Sequence, residues 1–427
     1  MVSVDVDRLA PPTRDPYAAL RRRVAIAGVF LITLFASGPF APGLTGGVGY
    51  DSVQQAIVEV VWIAILASAL PVLRLDRWDW DRRIVVVVAF VFWAVLSSTW
   101  AGGASLVKGG VLAVNVAAVF LLAHTQRFEE VVDATVAALF VICAASLVLV
   151  VVAPDVAVVD DWQHSGQWSG AFDNKQTLGI NSAFLLYLAA MRTGASRRPA
   201  AVAYHLAVMA AAIACIVGAG SRGGGVLAVL AVGLGLSSRH ARGIERLSAL
   251  IPLLTLGVST AMIVMLRVSD RDFLSIGEWD VDFTERTKIW KHAIDYLGGG
   301  TLWFGSGLNG FWSRKDVADA FLGGHEWFLD NYHNGFLAIL GDCGLVGAGL
   351  FVVLSALFPV VTAGEEDRHR RSEVTLILGF LALFYVIDMS ETYFLRSTNT
   401  FSILYFFFVF RLFGREWFVP FASSVVL

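Results

Sequence analysis

Charge is what this sequence has little of: 16% of its 427 residues are Asp, Glu, Lys or Arg, while 57% are hydrophobic. A soluble globular chain is nearer a quarter charged, so the deficit excludes an ordinary soluble enzyme and indicates a multi-pass membrane protein. A net charge of −3 offers no basic surface for a nucleic acid. Cysteine is equally scarce. Cys143, Cys215 and Cys343 all lie in apolar stretches, which reads as small core residues and excludes a disulfide framework or a thiolate metal site. There is no internal repeat and no low-complexity tract.

Apolar runs dominate what is present. The first 23 residues are polar and end in Arg21-Arg22-Arg23, and the run from Val24 to Ala36 then resembles a signal peptide. No Ala-x-Ala site closes it and many further runs follow, so it reads as an uncleaved first helix. Windows of about 19 residues suit a hydrocarbon layer of about 30 Å. They give twelve candidate transmembrane helices, centred near residues 33, 63, 92, 115, 142, 184, 209, 230, 257, 346, 381 and 405. Backbone groups in lipid need internal partners, so the expected fold is all-α and polytopic. Twelve crossings put 21 of the 32 Lys and Arg on one side, which the positive-inside rule makes the cytoplasm. The expected layout is a cytoplasmic tail (1–23), helices one to nine (24–266), a long periplasmic loop (267–334), helices ten to twelve (335–413) and a cytoplasmic tail (414–427).

The loop from Arg267 to Asn334 holds eleven acids, seven bases and five tryptophans. Structureless loops of this length are uncommon, and helical patterns appear around Glu285–Leu297 and Lys315–Leu322. The expectation is a small outer cap that meets the membrane through its tryptophans.

A second pattern lies in depth. In this topology Lys108, Lys175, Arg222, His333, Asp342, Asp388, Glu391 and Arg396 all map to the outer third of the membrane or its rim. Asp342 follows His333 by nine residues, ~13 Å along a helix. Ionisable groups there either face a wet cavity in the bundle or snorkel to the interface. In "SGAFDNKQTLG", Asn174, Lys175 and Gln176 open a span and offer an anion site at a helix N-terminus, or Asp173 or Asn174 is simply an N-cap. In "GAGSRGGG", Arg222 sits among glycines, suited to close approach of a phosphate or to a tight turn. His333 is suited to serve as a general base, although a lone histidine at an interface is more often structural. Asn334 either caps the following helix or orients a ligand. Gly341, Gly344 and Gly347 form a small-residue face, most simply for helix packing. Asp342 is positioned to pair with a cation such as Arg222 or Lys108.

The stretch "TERTKIWKHAIDYLGGGTLWFGSGLNGFW", followed by "HNGFLAILGDCGLVGAGLFVVL", resembles the signature of the O-antigen ligase and polymerase superfamily, particularly its exopolysaccharide-polymerase-like branch. Arg286, Thr287, Trp290, Gly305, Gly307, Gly310, His333, Asn334 and Leu337 occupy the motif positions. "FDNKQTLG" and "GSRGG" resemble upstream blocks in the same order. The resemblance implies a GT-C-like, metal-independent, inverting glycosyltransferase without a cofactor in the bacterial inner membrane, its active site facing the periplasm. Its implied partners are a glycan on an undecaprenyl-diphosphate carrier and a hydroxyl acceptor on a saccharide chain or lipid A-core. Arg222, Lys175 and Arg286 would hold diphosphate, and His333 would deprotonate the acceptor. Arg396, in "SETYFLRSTN", lies at the level of the diphosphate without matching a motif. Polymerase is favoured over ligase by the Trp-rich segment.

The alternative is a multi-pass transporter or flippase of a lipid-linked saccharide, which tends to show repeats and midplane charges. A metal-dependent relative should carry an acidic pair in its first outer loop, where this chain has only Asp51. Asp270/Asp272 and Asp280/Asp282 in the long loop read as solvated charges rather than ligands of a hard cation.

Overall fold

The computed structural model describes residues 17–38, 50–72, 82–160, 165–196, 198–237, 242–268, 274–276, 279–281, 286–325, 329, 331–362, 368–396 and 398–414. Most of both terminal tails, Asp270, Asp272, Asp282 and Glu285 lie outside these residues, as do the side chains of Asp51 and Asp280.

The chain is an all-α membrane protein. Helices run over Ala18–Ala36, Tyr50–Ala69, Ile84–Ser97, Gly103–Thr125, Phe128–Val152, Lys175–Ala195, Pro199–Ala219, Arg222–Ser237, Arg242–Val268, Gly335–Thr362, Arg368–Asp388 and Thr400–Phe413. Each of the twelve expected centres falls inside one of them. Among the described residues, five stretches are long and apolar enough to cross a membrane: Gly103–Thr125, Phe128–Val152, Pro199–Ala219, Glu245–Val268 and Gly335–Val361. The apolar helices Gln54–Ala69, Ile84–Trp100, Arg222–Leu236 and Thr400–Phe413 are shorter.

Burial sorts these helices into layers. Nearly every residue of Thr400–Phe413 is buried, and Ile180 to Ala189 in the 175–195 helix are too. A helix apolar on all sides belongs in the interior. The 368–388 helix packs on both, and also on the 222–237 and 242–268 helices. Aromatic side chains fill this centre: Phe184 stacks on Phe401 at 4.2 Å and Phe351 on Tyr385 at 5.5 Å. Buried hydroxyls pair among themselves, Ser355 with Tyr385 at 2.7 Å and Tyr385 with Tyr405 at 3.3 Å, as buried polar groups must.

The outer loop has a separate core of its own, built on Trp290, Phe311, Trp312, Phe321 and Tyr332. Helices Arg286–Asp295, Gly299–Phe304 and Lys315–His325 carry it, and the Trp290 indole N–H donates to the Tyr332 carbonyl at 3.0 Å. Leu274–Ile276 and Trp279–Val281 pair as a short antiparallel hairpin, which the sequence reading did not anticipate.

One helix departs from its sequence. The 335–362 helix is broken at Gly344, where φ is 66° and ψ −170°. The break frees carbonyls that hydrocarbon cannot satisfy. The outer loop supplies their donors: Ser306 N–H to Gly341 O at 2.8 Å and Gly307 N–H to Asp342 O at 2.9 Å. The Trp93 indole takes Cys343 O at 2.8 Å. Contact this close requires glycine. A Cβ on Gly305 would lie 2.1 Å from Asp342 O, and one on Gly307 2.4 Å from the Ala101 methyl. The glycine-rich turn 305–310 and the glycine-rich stretch 341–347 of the helix are therefore two halves of one joint. Segment 305–310 is wedged between the break and the end of the 84–97 helix.

Candidate functional site

His333 and Asn334 immediately precede the helix that carries this break. His333 holds a left-handed backbone (φ 47°), and its main-chain N–H donates to Asn331 Oδ1 at 2.9 Å. Asn334 is 2% exposed and its side chain is fully engaged. Its Oδ1 accepts from Leu337 N–H at 2.9 Å, capping the helix. Its Nδ2 donates to Met389 O at 3.1 Å and its main-chain N–H to Thr392 Oγ1 at 3.2 Å. Of the two roles open to Asn334, the structure gives the cap. The same holds for Asn174, whose Oδ1 accepts from Thr177 N–H at 2.8 Å.

Those contacts fasten the start of the helix to segment 389–392, which brings Glu391 to His333. Glu391 Oε2 lies 3.3 Å from His333 Nδ1, and its Oε1 accepts from Arg286 Nη2 at 2.6 Å. A carboxylate can only accept, so this contact calls for the proton on Nδ1, and among the described residues Nε2 has no hydrogen-bond partner. Beneath them Asp388 Oδ1 accepts from the N–H groups of Tyr393 and Phe394, at 2.8 and 3.3 Å. Its carboxylate lies so close to Gly335 that a Cβ there would be 1.6 Å from Oδ2. Desolvation, then the Glu391, Asp388 and Asp173 charges, push the Tyr393 phenol well above its ordinary range, and Arg286 opposes them.

Beside this cluster is a cavity of about 270 Å³, whose wall includes Lys108, Asn309, Tyr332, Asp342, Thr392 and Arg396. Asp342 does not pair with Lys108 or Arg222, as the sequence suggested. Its two oxygens accept from neutral donors, Asn309 N–H at 2.8 Å and Tyr332 OH at 3.0 Å. Burial and then the Asp342 charge push the Tyr332 phenol well above its ordinary range, so it stays protonated and donates. Arg396 Nη1 donates to Asn309 Oδ1 at 3.2 Å.

Lys175 and Arg222 form a third group. Lys175 donates to Gln167 Oε1, and Gln167 lies where Gly220 has no Cβ. Arg222 follows at the start of the 222–237 helix with an exposed side chain. The glycines after it have a packing reason: a Cβ on Gly224 would lie 2.8 Å from the Gly179 backbone. Gly223 meets Ile387, one residue before Asp388. The site residues read from the sequence thus fall into the His333–Arg286 cluster, the Asp342–Arg396 cavity and the Lys175–Arg222 surface. Thr392 links the first two, because it lines the cavity and accepts from Asn334. Glu391 stood among the outer charges without a role; Tyr332, Asn309 and Thr392 were not singled out.

The fold and site define a helical membrane protein with a histidine–carboxylate pair and several cations gathered against a broken helix. Residues 207–352, about a third of the chain, match the family model described as O-antigen ligase, which supports the O-antigen ligase/polymerase superfamily. The matched segment holds Arg222, Arg286, His333, Asn334 and Asp342; Lys108, Lys175, Glu391 and Arg396 lie outside it. No curated protein matches the chain.

Proposed function

We propose that this protein is a membrane glycosyltransferase that moves a glycan from an undecaprenyl-diphosphate carrier to a hydroxyl acceptor, on the outer face of a bacterial inner membrane. The carrying observation is the His333–Glu391–Arg286 cluster, held beside a cavity into which Arg396 and Lys108 bring positive charge. In this reading all twelve helices cross the membrane in a GT-C-like arrangement, with both termini in the cytoplasm.

His333 Nε2 takes the acceptor hydroxyl proton as the new glycosidic C–O bond forms. The anomeric C–O bond to the diphosphate breaks on the opposite face, inverting the centre without a metal. Charge accumulates on the departing diphosphate, and preorganised cations contribute several kcal/mol there. Arg396 with Lys108, or Arg222 with Lys175, supply it. Arg286 is neutralised by Glu391, so its part is to hold that carboxylate against His333. Asp342 is a structural bracket between segments 305–310 and 331–332.

Glu391→Gln leaves the shape and removes the charge that orients the imidazole. Hydrogen bonds to charged groups are worth about 1.5–3 kcal/mol. The expected result is a roughly ten- to hundredfold fall in kcat with little change in donor KM, measured on purified protein with a lipid-linked donor.

A deletion strain separates the acceptor classes. Extracted surface glycans reduced to single repeat units identify a polymerase, the favoured outcome, and full-length chains stranded on the carrier identify a ligase. The transporter reading draws on the broken helix, a feature of transporter binding sites. Normal glycans in the deletion strain would turn the assignment toward it.

A further inference from the structure

We propose that Asn309 is a positioning residue: it fixes the Arg396 guanidinium in the cavity wall, where Arg396 and Lys108 form a subsite for an oxyanion, either a phosphate group or a sugar carboxylate. The inference deepens the glycosyltransferase reading and rests on it for the identity of the ligand.

The backbone at Asn309 gives the first reason. Its φ is 53°, a left-handed conformation that glycine adopts freely and asparagine enters more readily than most side-chain-bearing residues. The flanking Gly307 and Gly310 show that the turn accommodates glycine. Asparagine therefore brings something to this position that glycine would not. Its main-chain N–H donates to Asp342 Oδ2 at 2.8 Å, a contact any residue would keep. Its side-chain oxygen accepts from Arg396 Nη1 at 3.2 Å, a contact glycine would lose.

The chemistry of that contact gives the second reason. Asp342 lines the same cavity and would be the ordinary partner for Arg396, yet its oxygens are taken by Asn309 N–H and Tyr332 OH. Arg396 is held by an uncharged amide oxygen, which aims the guanidinium without cancelling its charge. Among the described residues neither Arg396 nor Lys108 makes an ion pair. A structural arginine is usually matched by a carboxylate, as Arg286 is by Glu391 and Arg411 by Glu373. A guanidinium with its donors open to a cavity suits the planar oxygens of phosphate or carboxylate. A second cation, Lys108 on the 103–125 helix, lines the same space.

The test is calorimetric binding of inorganic pyrophosphate and, separately, of glucuronate to the full-length protein in lipid nanodiscs. Asn309→Gly retains the left-handed turn and the Asp342 contact, so it should keep the thermal midpoint while weakening the bound anion about tenfold or more. Asn309→Asp places a carboxylate against Arg396 and should weaken it further. Lys108→Met, at an exposed position, gives a second route to the same loss should a variant at 309 fail to fold. Binding of pyrophosphate alone assigns the subsite to the carrier diphosphate; binding of glucuronate alone assigns it to an acidic sugar. Unchanged affinity in both Asn309→Gly and Lys108→Met, or no binding of either anion to the wild-type protein, overturns the proposal. His333→Asn is run alongside. It should bind the anion normally, so a failed base assignment and a failed subsite give different results.

Discussion

Replacing His333 with asparagine should lower kcat by about 10²- to 10⁴-fold, the range that a positioned general base contributes, and leave the donor KM near its wild-type value. Asparagine is the informative replacement because it tolerates the left-handed backbone (φ 47°) that His333 adopts. It keeps the main-chain N–H bond to Asn331 at 2.9 Å and removes the basic nitrogen. Alanine would disturb the turn as well, and its effect would mix two causes. The assay is chain extension or transfer from a purified lipid-linked donor, with the thermal midpoint measured on the same preparation. An asparagine variant that retains more than about a tenth of the wild-type rate would mean that another group takes the proton, because the loss would fall below the base-catalysis range.

Gly344→Ala should be strongly destabilising. With φ 66° and ψ −170°, residue 344 lies in a region that is essentially glycine-only. An added Cβ would also sit 2.3 Å from the Trp303 carbonyl and 2.5 Å from Gly305 N. Strain and collision together should cost roughly 3 kcal/mol or more. The relief available is for segment 303–307 to leave the helix break, exposing the carbonyls of residues 341–343. The expected readout is a sharply lowered thermal midpoint and poor recovery from detergent. Gly349→Ala, five residues on in the same helix, meets nothing within 4 Å and should leave both unchanged. Equal behaviour of the two variants would refute the role given to the break.

The helices were legible because long apolar runs leave few other structures open to a chain in lipid. Contacts between distant segments were not. Glu391 lies 58 residues after His333, and nothing local marks it as that residue's partner. Asp342 suggested a cation because a buried carboxylate commonly finds one, whereas its partners are a phenol ten residues back and an amide N–H from the outer loop. The break at Gly344 was hidden because hydropathy is continuous across it, and hydropathy reports composition rather than φ and ψ. Asn174 and Asn334 were ambiguous for a different reason: asparagine that caps a helix and asparagine that binds a sugar look the same in a sequence. The short hairpin at 274–281 was too brief for its alternation to stand out.

The stapling of residues 333–334 to residues 389–392 has a consequence for biogenesis. The groups gathered around His333 and the cavity come from segments that leave the ribosome at widely separated times: Lys108 early, the 305–310 turn later, and Glu391, Thr392 and Arg396 close to the end of translation. Until the chain beyond Arg396 is made and the 400–413 helix takes its place in the centre of the bundle, His333 has no carboxylate beside it and the cavity lacks a wall. An inserting, half-made protein therefore lacks both the His333–Glu391 contact and the Arg396 side of the cavity.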